Sequence, residues 1–333
     1  MVRKKILVTG GAGFIGTRLC NTLVEDHDIT VLDYFWFGDK LDNRITKLMG
    51  GIVDLKVDDL DGYDVVLFLG GLSNDPMAEF RPDLNFVENS SVPTYLAYLT
   101  KEAGIKKFIG ASSCSVYGYT KNKTLFESSE VKPTYPYGIS KLQFEKGISI
   151  LEDKNFKPIL FRKGTVGGWS DRMRYDLVVN TMLMTAITNK KITVNSPKLW
   201  RPLVDIRDVI QAYKLAIECD EQISGIFNLS GVNLTIGTLG KLIYKKLTDR
   251  GLNIDLEILD VKDFRNYKVN IDKIQDELNF EPKYLPKDSI DEILNNIDRN
   301  YDFSKDEYYN IRIFKEVIKN EGFYNRRDRI IRK

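Results

Sequence analysis

The 333-residue sequence predicts an α/β fold: a doubly wound, mostly parallel sheet followed by a smaller C-terminal α/β domain. Three observations predict it. The first half alternates short apolar runs with amphipathic segments, the pattern of parallel strands wrapped by helices. A glycine-rich turn follows the first apolar run directly. After Arg162 the rhythm changes, as a second packing unit requires.

Taken in order, 5–9 (KILVT) reads as the first strand and 17–25 as a helix with Leu19, Cys20 and Leu23 inward. A second strand spans 28–33 (DITVLD), a weaker one lies near 52–57, and 64–69 (DVVLFL) is another buried strand. Helix 89–103 precedes strand 107–112 (KFIGAS), which leads into Cys114-Ser115-Val116-Tyr117-Gly118. Helix 137–153 and strand 158–162 follow. Beyond them come helix 177–189, a short strand near 192–194, helix 208–219, strand 225–229 and helix 236–250. The segment 255–261 and helices around 272–279 and 288–299 complete the body. The expected division is 1–165 plus about 203–230 for the first domain, and about 166–202 with 231–310 for the second. Residues 311–333 form a C-terminal helix or tail. No repeat or flexible linker interrupts the chain, so the two halves are expected to enclose a cleft.

Composition narrows the function. Lys and Arg total 49 against 47 for Asp and Glu, a balance that gives no global pull toward nucleic acid or membrane. The basic C-terminal cluster Arg326, Arg327, Arg329, Arg332 and Lys333 reads as a short solvated tail. Cys20, Cys114 and Cys219 are far apart without CxxC spacing, which suggests neither a disulfide framework nor a zinc site and fits a reducing cytoplasm. The N-terminal MVRKKILVTGG lacks a signal peptide's apolar core, and no stretch approaches the ~18 apolar residues of a membrane span. His27 is the only histidine and lies in the polar turn Glu25-Asp26-His27-Asp28, where a solvated loop residue is expected. Metal-ligand sets and histidine-based triads are thereby disfavoured, and no metal is expected. Acid–base chemistry must use Tyr, Lys, Cys, Asp or Glu.

The turn Thr9-Gly10-Gly11-Ala12-Gly13-Phe14-Ile15-Gly16 carries two overlapping spacings, GxGxxG and GxxGxxG. A tight turn, close approach of backbone to a diphosphate and helix-to-sheet packing all favour residues without Cβ. The helix then opens toward the diphosphate with unpaired N–H groups. Asp33, twenty residues beyond Gly13, ends the second strand. There a carboxylate accepts hydrogen bonds from adenosine ribose hydroxyls and repels a 2′-phosphate, so NAD rather than NADP is predicted. The aromatic run Tyr34-Phe35-Trp36-Phe37 either flanks adenine or covers the sheet edge.

Tyr137 and Lys141, in Tyr137-Gly138-Ile139-Ser140-Lys141, share one helix face at i and i+4. A free tyrosine has pKa about 10 and is a poor base at neutral pH. A neighbouring ammonium and the positive nicotinamide ring are expected to lower that value, letting Tyr137 take a proton from a sugar hydroxyl while hydride leaves for NAD. The hydroxyls of Ser112-Ser113-Cys114-Ser115 lie at a strand's C-terminal edge, where ligands bind in open α/β sheets.

Together TGGAGFIG, SSCSVYG and YPYGISK resemble the extended short-chain dehydrogenase/reductases, the NAD-dependent epimerase/dehydratase family, over about residues 3 to 300. The resemblance implies a Rossmann domain with a substrate domain, and NAD as cofactor. Gly10, Gly13, Phe14, Ile15, Gly16, Asp33, Tyr137 and Lys141 then hold that cofactor, together with Leu69, Gly70 and Gly71 in a second turn. Ser113 assists the tyrosine and touches the substrate, and Asn89, which corresponds to the asparagine of the family's NVxGT segment, belongs to the cofactor site. A homodimer formed through the helices carrying Asn89 and Tyr137 is also implied. LWRPLVDIRD is similar to the family's RxxxxVxD segment, which gives Arg201 the nucleotide diphosphate of a nucleoside-diphosphate sugar. The block DFRNY followed by LNFEP gives Arg265 the same duty, and Asn180 is expected to touch the sugar diphosphate. SDRMRYDLVVN is closer to a subgroup that includes GDP-heptose 4-dehydrogenases.

Departures from the pattern select among reactions. Cys114-Ser115 stands where 4,6-dehydratases carry Asp-Glu, so dehydration is disfavoured. Ser115 holds the place of the cysteine of 3,5-epimerases, which argues against that chemistry too. FRKGTVGG, at 161–168, departs from the usual VYGP and points to an unusual sugar pocket. The expected activity is oxidation at C4 of a nucleoside-diphosphate sugar: a 4-epimerase serving surface polysaccharide or glycan precursor synthesis, with a 4-dehydrogenase as alternative. A non-catalytic NAD-binding regulator is the rival from another class.

Overall fold

The computed structural model describes residues 2–259, 266–320 and 331–332. Its central sheet contains the parallel strands Lys5–Thr9 (β1), Asp28–Asp33 (β2), Thr46–Met49 (β3), Val65–Phe68 (β4) and Lys107–Ser113 (β5). Strand Tyr119–Leu125 (β6) lies outside that sheet, and Ile159–Lys163 (β7) returns to it. Short strands Thr165–Gly167 (β8), Lys191–Asn195 (β9) and Trp200–Asp205 (β10) come before Gly225–Leu229 (β11), the last parallel member of the central sheet. Val232–Thr235 (β12), Asp255–Leu259 (β13), Asn266–Val269 (β14) and Ile331–Arg332 (β15) complete the strands. The order across the sheet is β11-β7-β5-β4-β1-β2-β3, with β15 antiparallel on β3. Chain order reverses between β1 and β4. Such a switch point leaves a crevice beyond the strands' C-terminal ends, where ligands bind.

The helices are Phe14–Leu23 (α1), Asp75–Phe80 (α2), Pro82–Phe86 (α3), Val92–Glu102 (α4), Pro136–Leu151 (α5), Val178–Asn189 (α6), Ile206–Glu218 (α7), Ile236–Thr248 (α8), Asp272–Leu278 (α9), Pro286–Asn296 (α10) and Asn310–Asn320 (α11). Strand β1 shows why the sheet is covered on both sides. Ile6 and Val8 belong to one core cluster and Leu7 to another, so alternate side chains are buried on opposite faces. On α1 the expected inward residues Leu19, Cys20 and Leu23 are fully buried. The small sheets β12-β10-β8 and β13-β9 pack with α6, α8 and α10, and β14-β6 packs against β10.

Two expectations need correction. The strand after β2 is Thr46–Met49, and the apolar segment expected near 52–57 instead forms 3-10 turns at Ile52–Asp54 and Val57–Leu60. Leu55 and Leu60 are drawn into the core there, whereas β3 is short and only half-buried. His27 is not solvated: it is 1 % exposed, and its Nδ1 accepts from the Lys4 N–H at 3.4 Å. Burial pushes its pKa down. The segment counted as helix 89–103 begins with a π-turn at Val87–Ser91 before α4. Among the described residues no helix is long and apolar enough to cross a membrane. Arg265 lies outside the described residues, as do Arg326, Arg327, Arg329 and Lys333 of the basic tail.

Candidate active site

The turn between β1 and α1 is fixed by contacts that only glycine permits. Gly10 has φ +75°, and a Cβ there would lie 2.3 Å from the Gly70 nitrogen. At Gly16 a Cβ would meet the Gly10 carbonyl oxygen at 2.6 Å. Gly13 differs. A Cβ on it would meet only the Gly10 oxygen, at 3.4 Å, so packing does not demand glycine there. Gly13 is the N-cap of α1, with no side chain capping that end and no acidic residue in its first turn. It faces the cavity, where missing bulk leaves room for an anion to approach the helix N-terminus. A dinucleotide diphosphate fits this cradle.

The cavity has a volume of about 630 Å³, within the range of small-molecule sites. Gly10, Gly13, Phe14, Ile15 and Gly16 line one wall, with Leu69, Gly70 and Gly71 of the second turn beside them. The Asp33 carboxylate accepts from the Ala12 and Phe35 N–H groups, both at 2.9 Å. Burial nevertheless raises its pKa, against those hydrogen bonds and the Arg172 charge. Tyr34, Trp36 and Phe37 line the same end. Tyr34 stacks on Trp36 at 5.6 Å between ring centres, and Phe37 carries the Arg172 guanidinium 3.7 Å above its ring.

Alternation along β5 sorts its serines. Ser112 donates to Glu145 at 2.6 Å within a buried network, in which Glu145 also pairs with Arg162 at 2.7 Å. Ser113 points the other way, into the cavity. There its hydroxyl bonds Tyr137, donates to the Ser115 hydroxyl at 3.1 Å and accepts from the Ser115 N–H. Lys141 is 3 % exposed; its Nζ donates to the Ala111 carbonyl at 3.0 Å and lies 5.9 Å from the Tyr137 ring centre.

The protein's own groups do not lower the Tyr137 pKa. Burial, followed by the Asp75 carboxylate, pushes this phenol up to about 12, while Arg174 and the Ser113 hydrogen bond pull it back only in part. Lys141 is itself pushed down to about 7 by burial, with Glu145 opposing, so its positive charge is only partial at neutral pH.

Other predicted residues divide. Arg201 reaches the cavity, donates to the Trp200 carbonyl at 2.9 Å and sits 5.8 Å from the Tyr267 ring centre. Asn180 does not reach it. Fully buried, Asn180 donates to the Arg174 carbonyl at 2.9 Å and accepts from the Gly168 N–H at 3.3 Å, so it braces the loop before α6. Leu177, Val178 and Thr181 supply that segment's cavity wall instead. Asn89 is also withdrawn: its side chain donates to Leu72 and Asn85, supporting the turn at Gly71 from behind.

Several lining residues were not anticipated individually: Asp75, Lys163, Arg172, Arg174 and Tyr267. Signals existed for some of them. Lys163 sits inside the departing FRKGTVGG, and both arginines lie in SDRMR. Tyr267 hydrogen-bonds Ser115 and thereby ties β14 to the serine-rich strand end.

Comparison with known proteins agrees with this geometry. The chain is 31% identical over 209 residues to the uncharacterized UDP-glucose epimerase YtcB of Bacillus subtilis, covering 57% of this chain and 65% of that protein. It is 26% identical over 265 residues to a dTDP-D-glucose 4,6-dehydratase of Dictyostelium discoideum, covering 71% and 60%. It thus spans less than two thirds of the length of these two curated relatives. In fold it is similar to the UDP-glucuronic acid 4-epimerase of Bacillus cereus, solved with UDP-glucuronic acid and NAD, at TM-score 0.79 and 23% identity over 89% of this chain and all of that one. The family model for the NAD dependent epimerase/dehydratase family matches residues 6–230, and the chain belongs to that family.

Proposed function

We propose that the protein is a 4-epimerase of nucleoside-diphosphate sugars that uses NAD. The observation carrying this is the meeting, in one cavity, of the Gly13 cradle, Asp33, the Tyr137–Ser113–Lys141 group and Arg201. Residues 1–165 with about 203–230 would serve the dinucleotide, and about 166–202 with 231–310 the sugar nucleotide. NAD, when bound, supplies the acceptor and donor of hydride. The chain's own residues do the rest.

Gly13 and the α1 N-terminus hold the diphosphate, and Asp33 accepts from the adenosine ribose. The Tyr137 phenol exchanges a proton with the C4 hydroxyl, and Ser113 hydrogen-bonds the same oxygen. Lys141 braces the nicotinamide ribose, and its charge is regained once an electron-rich oxygen faces it. Arg201 grips the substrate diphosphate with a permanently charged fork, a duty assigned also to Arg265. Among the proteins named above, the UDP-glucose epimerase and the UDP-glucuronic acid 4-epimerase support an epimerase reading. Ser115 in place of an acid–base glutamate argues against loss of water.

The test is to follow NADH absorbance while UDP-, GDP-, dTDP- and CDP-sugars are supplied with NAD. An epimerase yields the C4 epimer by NMR without NADH accumulation. Stoichiometric NADH would instead make the protein a 4-dehydrogenase. A set of sugars that never raises the melting temperature beyond the effect of NAD would leave a non-catalytic binder.

A further inference from the structure

Lys163 ends β7, in the segment where the sequence departs from the family pattern. Its register partner in β5 is Ser113. Paired residues of neighbouring strands leave the sheet on the same face, with backbones roughly 4.8 Å apart. Lys163 therefore emerges beside the serine that contacts Tyr137, and it lines the same cavity. Arg162, one residue earlier, points to the opposite face and is fully engaged by Glu145. Lys163 has no such partner: it makes no hydrogen bond or ion pair among the described residues, and its Nζ lies 5.9 Å from the Tyr213 ring centre. The charges acting on it, Lys141 and Arg174, are both positive. Burial, with those charges, pushes the amine down to about 7.

A cation facing a cavity without a counter-ion is costly unless a ligand supplies one. Two anions are already accounted for. The dinucleotide diphosphate belongs at the end of β1, three strand spacings or roughly 14 Å from β7. That is well beyond the roughly 6 Å reach of a four-carbon side chain. The substrate diphosphate is assigned to Arg201. What remains for Lys163 is a group on the sugar itself, next to the hydroxyl that Ser113 and Tyr137 hold.

We propose that Lys163 receives a carboxylate borne by the sugar ring, so that the substrate is a nucleoside-diphosphate uronic acid. This deepens the function proposed above and rests on it.

The test uses the full chain with NAD and matched ligand pairs that differ at C6: UDP-glucose with UDP-glucuronate, and GDP-mannose with GDP-mannuronate. Calorimetry should give at least tenfold tighter binding of the acid in at least one pair. At pH 8 that binding should also take up close to one proton, measured in buffers of different ionisation heat, because a largely neutral amine becomes charged. Lys163→Met should erase both the preference and that part of the proton uptake, with the neutral sugar's Kd changed less than threefold. Lys163→Arg should retain part of the preference without the uptake. Unchanged melting temperatures would exclude misfolding as the cause. Equal or tighter binding of the neutral sugar, or a preference surviving in Lys163→Met, would overturn the proposal. Failure of every nucleotide sugar to bind the unaltered protein would instead remove the nucleotide-sugar assignment, and this proposal with it.

Discussion

At the dinucleotide end of the cavity, Gly10, Gly13, Gly16 and Asp33 all come from the β1–α1–β2 unit, and backbone geometry sets their roles. At the sugar end, Lys163, Arg174, Arg201 and Tyr267 come from four separate segments brought together by packing between the central sheet and the small sheets. The first end is a local motif in which Gly10 and Gly16 admit no added atom. The second is an assembly of long, charged or aromatic side chains from segments far apart in sequence. A ligand common to the whole family can be met by a fixed backbone. A variable ligand is better met by side chains that change one at a time.

Tyr137 stands where the two ends meet, and its removal should have the largest effect. Tyr137→Phe is expected to lower kcat by roughly 10³-fold, as loss of a positioned proton carrier does. NAD affinity measured by fluorescence titration should change only a few-fold. Near-normal turnover would place the proton transfer elsewhere.

The next test separates packing from binding within the glycine turn. Gly10→Ala should cost about 3 kcal/mol in urea unfolding, because φ +75° and a 2.3 Å contact with Gly70 both oppose it. Gly13→Ala should leave stability within ~0.5 kcal/mol, since its Cβ finds ordinary space. It should instead weaken NAD binding at least tenfold. Equal destabilisation by the two substitutions would contradict the distinction between a packed glycine and a ligand-facing one.

The smallest expected effect is on stability against pH. Lys141 is held near 7 by burial, below the ordinary lysine value of about 10.4. Between these limits the unfolded chain binds more protons than the folded one, so stability rises with pH. The slope from this group is at most about 1.4 kcal/mol per pH unit. Melting temperature should therefore climb from pH 7 to pH 9, and because Lys163 is held near 7 as well, Lys141→Met should reduce the climb without abolishing it. An identical profile for the variant would mean that the amine is not desolvated.

Strands β1, β2, β4, β5, β7 and β11 and the glycine turn after β1 were legible because each depends on neighbours in the chain. The same holds for Tyr137 and Lys141, which one helix turn places side by side. Asn180 and Asn89 were legible as positions but not as roles. Short backbone hydrogen bonds turn both amides away from the cavity, and no pattern in the sequence encodes that direction. His27 misled for a related reason: a polar turn hides an imidazole that Lys4 covers.

By itself the sequence determined the β1–α1–β2 unit, the position of Asp33 at the end of β2 and the presence of a Tyr/Lys pair, because local geometry suffices for each. Only the tertiary structure decided that Lys163 lies beside Ser113 without a counter-ion, that Tyr267 reaches Ser115, and that the phenol at 137 is held high rather than low. Register between remote strands and removal of water from a closed cavity set those properties, and neither is written in the spacing of residues along the chain.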